Sequence, residues 1–122
     1  MTFKFGYSTY ALKMVDPFEA IKIIGAAGYD ALEVCISEEW PSSPTHFSRT
    51  QQEDLVNLIK DLGFESPIVF GNIDVCAPYY DRVAMYDLTK KKFEMAQRLH
   101  FDDSPTLITT TPGHSAPPWE SG

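Results

Sequence analysis

Glu33 is the residue of this 122-residue chain whose placement first suggests chemistry. In Gly28-Tyr29-Asp30-Ala31-Leu32-Glu33-Val34, strand alternation puts Ala31, Glu33 and Cys35 on one face and Leu32, Val34 and Ile36 on the other. An ionised carboxylate among strand residues must find hydrogen-bond donors, because leaving it dry and unpaired costs several kcal/mol. Two readings meet that need: a structural carboxylate tying neighbouring strands together, or a group that binds substrate or supports its binding.

The other candidates sit just beyond the ends of predicted strands: Tyr7 and Tyr10; Glu38, Glu39 and Trp40; Asn72 and Asp74; His114 and Trp119. Each has a plainer reading, with Glu38 and Glu39 as solvated loop charges and Tyr7 or Trp40 as filler at the mouth of the fold. His114, after Pro112-Gly113, is the histidine best placed to meet a substrate hydroxyl or a metal ion. It reads otherwise as an exposed loop histidine, and metal binding there needs further ligands that the neighbouring sequence does not offer. Cys35 and Cys76 follow neither a Cys-x-x-Cys spacing nor a secreted disulfide pattern, so they read as two reduced thiols without a partner base.

The elements that must position these groups alternate along the chain. Aromatic residues at every second position predict a first strand over residues 3–8. Asp16-Pro17-Phe18-Glu19 reads as a helix start, with Asp16 as N-cap, Pro17 in the first turn and Glu19 closing a capping box. Phe18, Ile21 and Ile24 lie at helical spacing, and Gly28 ends the helix before a second strand over 30–36. Ser48 with Gln51, or Thr50 with Glu53, caps a second helix carrying Leu55, Leu58, Ile59 and Leu62, ended by Gly63. A third strand spans 66–71, and a third helix spans about 82–100 with Leu88, Met95, Ala96 and Leu99 on one face. A fourth strand covers 106–110. The basic run Lys90 to Lys92 reads as a solvated face of the third helix.

This alternation fits a small doubly wound sheet or the first half of a (β/α)8 barrel. A flavodoxin-like sheet needs a phosphate cradle after its first strand and a receiver needs an acidic pair; residues 8–14 supply neither. The expectation is therefore α/β, a partial (β/α)8 TIM barrel whose first four parallel strands carry three intervening helices. Residues 1–122 then read as the amino-terminal half of such a barrel, truncated after the fourth strand.

Phe5-Gly6-Tyr7-Ser8-Thr9, Gly28-Tyr29-Asp30-Ala31-Leu32-Glu33 and Thr109-Thr110-Thr111-Pro112-Gly113 together resemble the xylose-isomerase-like TIM-barrel family of sugar phosphate isomerases and epimerases. The resemblance runs the length of the chain and implies a complete barrel of roughly 250 residues. It implies a divalent metal held by Glu, Asp, His and Glu side chains from strands of the second half, positions this chain does not contain. The implied reaction moves a proton between carbons of a ketose or aldose, with the metal polarising oxygens and a carboxylate as base. No turnover and no metal are expected of the chain alone, and its catalytic residues are not assigned. The resemblance further implies aromatic walls around a sugar pocket. On that basis the substrate-binding candidates are Tyr7, Tyr10, Glu33, Trp40, Asn72, His114 and Trp119. The resemblance makes His100 a departure, standing where the family has a helix-ending Gly, with an expected cost of about 1 kcal/mol.

Composition narrows the partners. Ten basic against seventeen acidic residues give a net charge of −7, which disfavours a nucleic-acid backbone and the related endonuclease IV class. No stretch approaches the roughly 20 apolar residues that span a bilayer, and no signal peptide is evident, so a cytoplasmic home with no membrane partner is expected. The partner expected of the complete protein is a small sugar or sugar phosphate. The rival reading is a non-catalytic binding or scaffold module, a homo-oligomer that pairs the open edges of the first and fourth strands.

Overall fold

The computed structural model describes residues 3–72 and 82–110; Asp74, Cys76, His114 and Trp119 lie outside the described residues. Helix α1 (Pro17–Ala26) forms where the sequence supplies its start. The Asp16 carboxylate accepts the backbone N–H groups of Phe18 at 3.0 Å and Glu19 at 3.2 Å. First-turn donors have no intrahelical acceptor, and such a cap is worth about 1 kcal/mol. Glu19 does not close the expected box: its carboxylate takes Lys22 Nζ at 3.1 Å, an opposite charge one turn along the exposed face.

Helix α2 (Arg49–Asp61) uses the first of its two possible caps. Ser48 Oγ accepts the Gln51 N–H at 3.2 Å, and Gln51 Oε1 accepts the Ser48 N–H at 2.7 Å. Glu53 lies instead beside Arg49, 3.8 Å away. Both α1 and α2 leave through a left-handed glycine, Gly28 at φ 91° and Gly63 at φ 83°. Helix α3 (Arg82–Leu99) ends differently. The His100 N–H reaches the Gln97 carbonyl at 3.3 Å, and no non-glycine residue among those described has positive φ. The expected strain at His100 therefore does not arise, because no left-handed residue is needed at that helix end.

Strands β1 (Gly6–Ser8), β2 (Ala31–Cys35), β3 (Ile68–Phe70) and β4 (Ile108–Thr109) form one parallel sheet in the order β1-β2-β3-β4. All four are shorter than their sequence patterns. Gly6 stands opposite Ala31, the first residue of β2; the Phe5 carbonyl still accepts the N–H groups of Asp30 at 2.8 Å and Ala31 at 3.2 Å, while Phe3 and Phe5 stay 74% and 70% exposed.

Register sorts the side chains onto two faces. Tyr7 pairs with Leu32, and Val34 with Val69 and then Ile108; Ser8 pairs with Glu33 and then Ile68, and Cys35 with Phe70 and then Thr109. The core joins Leu32, Val34, Ile36 and Val69 to Ile21 and Ile24 of α1, Leu55, Val56 and Ile59 of α2, and Met95, Ala96 and Leu99 of α3. All three helices thus cover the Leu32 face. Parallel strands added in chain order through crossovers of one hand must place their helices on one side. A doubly wound sheet needs a reversal of strand order, and none occurs among these four strands. The described residues are α/β, a four-stranded parallel sheet with three α-helices. Among the described residues, no helix is long and apolar enough to cross a membrane.

The passage from α3 to β4 is fastened to the start of β3 by a reciprocal lock. Asp102 Oδ2 accepts the Ser66 N–H at 2.8 Å, while Ser66 Oγ accepts the N–H groups of Phe101 at 2.8 Å and Asp102 at 3.0 Å. The Ser104 hydroxyl and N–H also donate to Asp102, and with Ser66 they hold its carboxyl well below the usual carboxylate range. A folded-state pKa lowered in this way stabilises the fold above the ordinary aspartate value and ceases to do so as the group is protonated. Thermal melts of wild type should therefore show stability falling as pH drops below about 4. Asp102→Asn should be less stable at pH 7 and show a flatter acid limb; an unchanged acid limb would remove this role from Asp102.

Candidate functional site

Beyond the carboxyl ends of β1, β2 and β3 lies a cavity lined by Tyr10, Ser37, Glu38, Glu39, Trp40, Phe70 and Asn72. The side bounded by these residues encloses about 240 Å3, a volume below the roughly 300–1,000 Å3 of drug-sized sites and suited to a small molecule. Its residues come from the segments following β1 and β2, from the last residue of β3 and from the segment following β3. Ligands of parallel α/β sheets bind beyond the carboxyl ends of the strands, because there the loops diverge and leave a crevice.

One wall is aromatic. Ser8 Oγ accepts the Tyr10 N–H at 3.1 Å and starts a 3-10 turn over Thr9–Leu12, which brings Tyr10 across the end of the sheet. Tyr10 stacks on Trp40, with centroids 4.8 Å apart, and meets Phe70 edge-on at 5.6 Å. Trp40 Nε1 donates to the Tyr10 carbonyl at 3.2 Å, and Lys13 Nζ lies 4.9 Å from the Trp40 ring centroid. Such ring contacts contribute about 0.5–1.5 kcal/mol each and fix flat apolar surfaces at the cavity edge.

A set of polar contacts holds the segments that carry these residues. Thr9 Oγ1 accepts the Cys35 N–H at 2.8 Å, the Ser42 hydroxyl donates to the Cys35 carbonyl at 2.5 Å, and Ser37 Oγ accepts the Asn72 N–H at 2.9 Å. A His46 ring nitrogen meets the Glu38 carbonyl at 3.2 Å. Burial pushes the Cys35 thiol up, opposed in part by its hydrogen bonds to Ser37, so Cys35 is a packed thiol and not an activated nucleophile.

The charges of the site are paired. Lys92 of α3 is fully buried, and its Nζ donates to Glu38 Oε1 at 2.6 Å and to the Asn72 carbonyl. Its aliphatic stem passes over Gly71, where a Cβ would stand 3.3 Å from Lys92 Cδ. This corrects the reading of Lys90 to Lys92 as one solvated face. Lys90 and Lys91 are exposed, whereas Lys92 lies on the same helical stripe as Met95, Ala96 and Leu99 and is carried inward with them. Glu38 is likewise only partly solvated, being held by Lys92, whereas Glu39 is the exposed loop charge that was expected, with its Oε2 taking Lys13 Nζ at 2.6 Å.

Of the sequence candidates, Tyr10, Glu38, Glu39, Trp40 and Asn72 meet in this cavity. Tyr7 does not: register turns it to the helix face, where its ring packs on Tyr29 at 5.1 Å. Glu33 lies on the open face of the sheet, half-buried, with the Thr109 hydroxyl 3.5 Å away, in a shallow hollow with Gly6, Ala31 and Ile68. That contact reaches from β2 across β3 to β4, as a carboxylate tying strands together would. Ser37, Phe70 and Lys92 belong to the site or its support and were not among the candidates. Phe70 was accessible from strand alternation, and Lys92 from its place in the i, i+3, i+4, i+7 pattern with Met95, Ala96 and Leu99. His114 and Trp119 lie outside the described residues.

Removing either member of the Lys92–Glu38 pair should have unequal effects. Glu38→Ala leaves a buried ammonium short of its anionic acceptor and should cost about 2 kcal/mol. Lys92→Met keeps the stem volume and leaves Glu38, 42% exposed, to water, and should cost about 1 kcal/mol or less. Urea denaturation checks the order; a larger loss for Lys92→Met would contradict it.

No family model matches the chain, and no curated protein matches it.

Proposed function

We propose that the chain is the amino-terminal part of a sugar or sugar phosphate isomerase or epimerase of the xylose-isomerase-like (β/α)8 barrel type, and that the cavity is part of its substrate site. The observation that carries the reading is the unreversed strand order with all helices on one face, combined with a cavity at the carboxyl ends of the strands. A barrel is the closed form of such a sheet. Supporting it, the stacked Tyr10 and Trp40 offer apolar surface to the C–H face of a sugar ring, while Glu38, Glu39 and Asn72 present acceptors and an amide to its hydroxyls.

The metal of such an enzyme finds no home in the described residues. No three His, Cys, Asp or Glu side chains among them converge. Glu38 and Glu39 are each engaged by a lysine, and the resemblance places the ligands in a second half. The residues here would serve to bind and orient: the aromatic wall excludes water from one side of a bound ring, and the paired carboxylates accept hydrogen bonds from its hydroxyls. No chemical step is assigned to them.

A second reading, a self-associating half-barrel, is favoured by one observation. On the face opposite the helices, Ile68 of β3 is 37% exposed, and Leu107, just before the edge strand β4, is 51% exposed. Two copies meeting there would cover apolar surface and pair free strand edges.

Sequencing the coding region beyond the Gly122 codon and assaying its full product for ketose–aldose interconversion with added divalent metal separates the two. The isomerase reading predicts about 130 or more further residues with carboxylate and histidine ligands at strand ends, and metal-dependent turnover. A stop codon after Gly122, with sedimentation equilibrium giving a dimer of the chain, would replace it by the second reading.

A further inference from the structure

The sign of charge around the cavity discriminates between ligands that its shape alone would admit. Among the described residues, no cationic side chain lines it, and its lining includes Glu38 and Glu39. The two nearest lysines are already engaged by those carboxylates, Lys92 with Glu38 at 2.6 Å and Lys13 with Glu39 at 2.6 Å. Lys92 is further engaged by the Asn72 carbonyl, and its stem is walled off from solvent. A phosphate group placed here would meet two carboxylates and two cations that are already neutralised. Phosphate sites require the reverse, N–H donors or Arg and Lys side chains turned toward the ligand. The aromatic pair and the carboxylates instead suit a ring with C–H faces and hydroxyl donors.

We propose that the cavity takes an uncharged polyhydroxylated ligand and rejects the corresponding phosphate ester, with Glu38 as the specificity-determining residue. Glu38 sets the preference in two ways. It places a negative charge at the cavity surface, and it neutralises the Lys92 ammonium immediately behind that surface. Removing its charge while keeping its shape would do both at once: the wall loses an anion, and the potential of Lys92 reaches the cavity. Glu39 contributes less, because its side chain is 73% exposed and solvent screens it. This inference rests on the reading of the cavity as part of a sugar site.

The test is isothermal titration calorimetry of the full product of the coding region with aldoses and ketoses of four to six carbons, each beside its terminal phosphate ester. The proposal predicts that at least one free sugar binds and that its ester binds about tenfold more weakly or worse. Glu38→Gln should narrow that gap by about fivefold or reverse it, and Glu39→Gln should narrow it less. Melting curves establish that both variants are folded, and Glu39→Gln, at an exposed position, keeps the charge test available if Glu38→Gln is not. An ester that binds as tightly as its sugar would overturn this inference and leave the sugar-site reading standing. Binding by neither would overturn both. A gap unchanged in every folded variant would take the discrimination away from these carboxylates.

Discussion

A lysine ammonium enclosed by protein must be given acceptors, and this one requirement organises the carboxyl end of the sheet. Lys92 leaves α3 on its core-facing stripe, passes over Gly71 at the end of β3, and delivers Nζ to Glu38 and to the Asn72 carbonyl. Three segments distant in sequence are thereby joined: α3, the loop after β2 and the chain leaving β3. Desolvating the charge costs several kcal/mol, which the two acceptors offset only if both loops hold their places. The neighbouring contacts point the same way, with Ser37 accepting the Asn72 N–H and the aromatic wall of Tyr10, Trp40 and Phe70 closing over the same loops. Site geometry and local stability are here one property.

The second constraint is topological. Four parallel strands in chain order put every helix on the Leu32 face and leave Glu33, Ile68 and Phe70 on the other. On this face Cys35, at the carboxyl end, is buried, while Ile68 stays 37% exposed and leaves apolar surface to be covered. Both functional readings begin from that fact and differ only in what covers the face. The carboxyl-end cavity is common to them, because it is built by loops on one rim of the sheet and does not depend on closure.

What was legible in the sequence was what is decided locally. The Asp16 and Ser48 caps and the Gly28 and Gly63 exits depend on residues a few positions apart, and the pattern gave them directly. The placing of Glu33 on the face opposite Leu32 followed from a period of two. Strand ends were overestimated because pairing, not propensity, sets them: β1 begins where Ala31 becomes available to Gly6. Tyr7 was placed at the rim by its position near a strand end, but its parity in the register sends it to the helix face. Lys92 was the largest miss. Three consecutive lysines look like a solvated surface, and only the spacing to Met95, Ala96 and Leu99 separates the buried member from the other two. Its acceptors lie 54 and 20 positions away in sequence, a separation that no local rule spans.

The claim that this pair organises the site is tested most directly by a double-mutant cycle on Lys92 and Glu38, using Lys92→Met, Glu38→Ala and the double variant in chemical denaturation. A cycle isolates the pairwise interaction from the separate costs of each truncation. For a buried ammonium facing a carboxylate that is partly in water, the coupling should be about 1–2 kcal/mol, between surface and fully buried pairs. A coupling indistinguishable from zero would mean that the two side chains are neighbours without energetic connection, and the account of the site would fail at its centre.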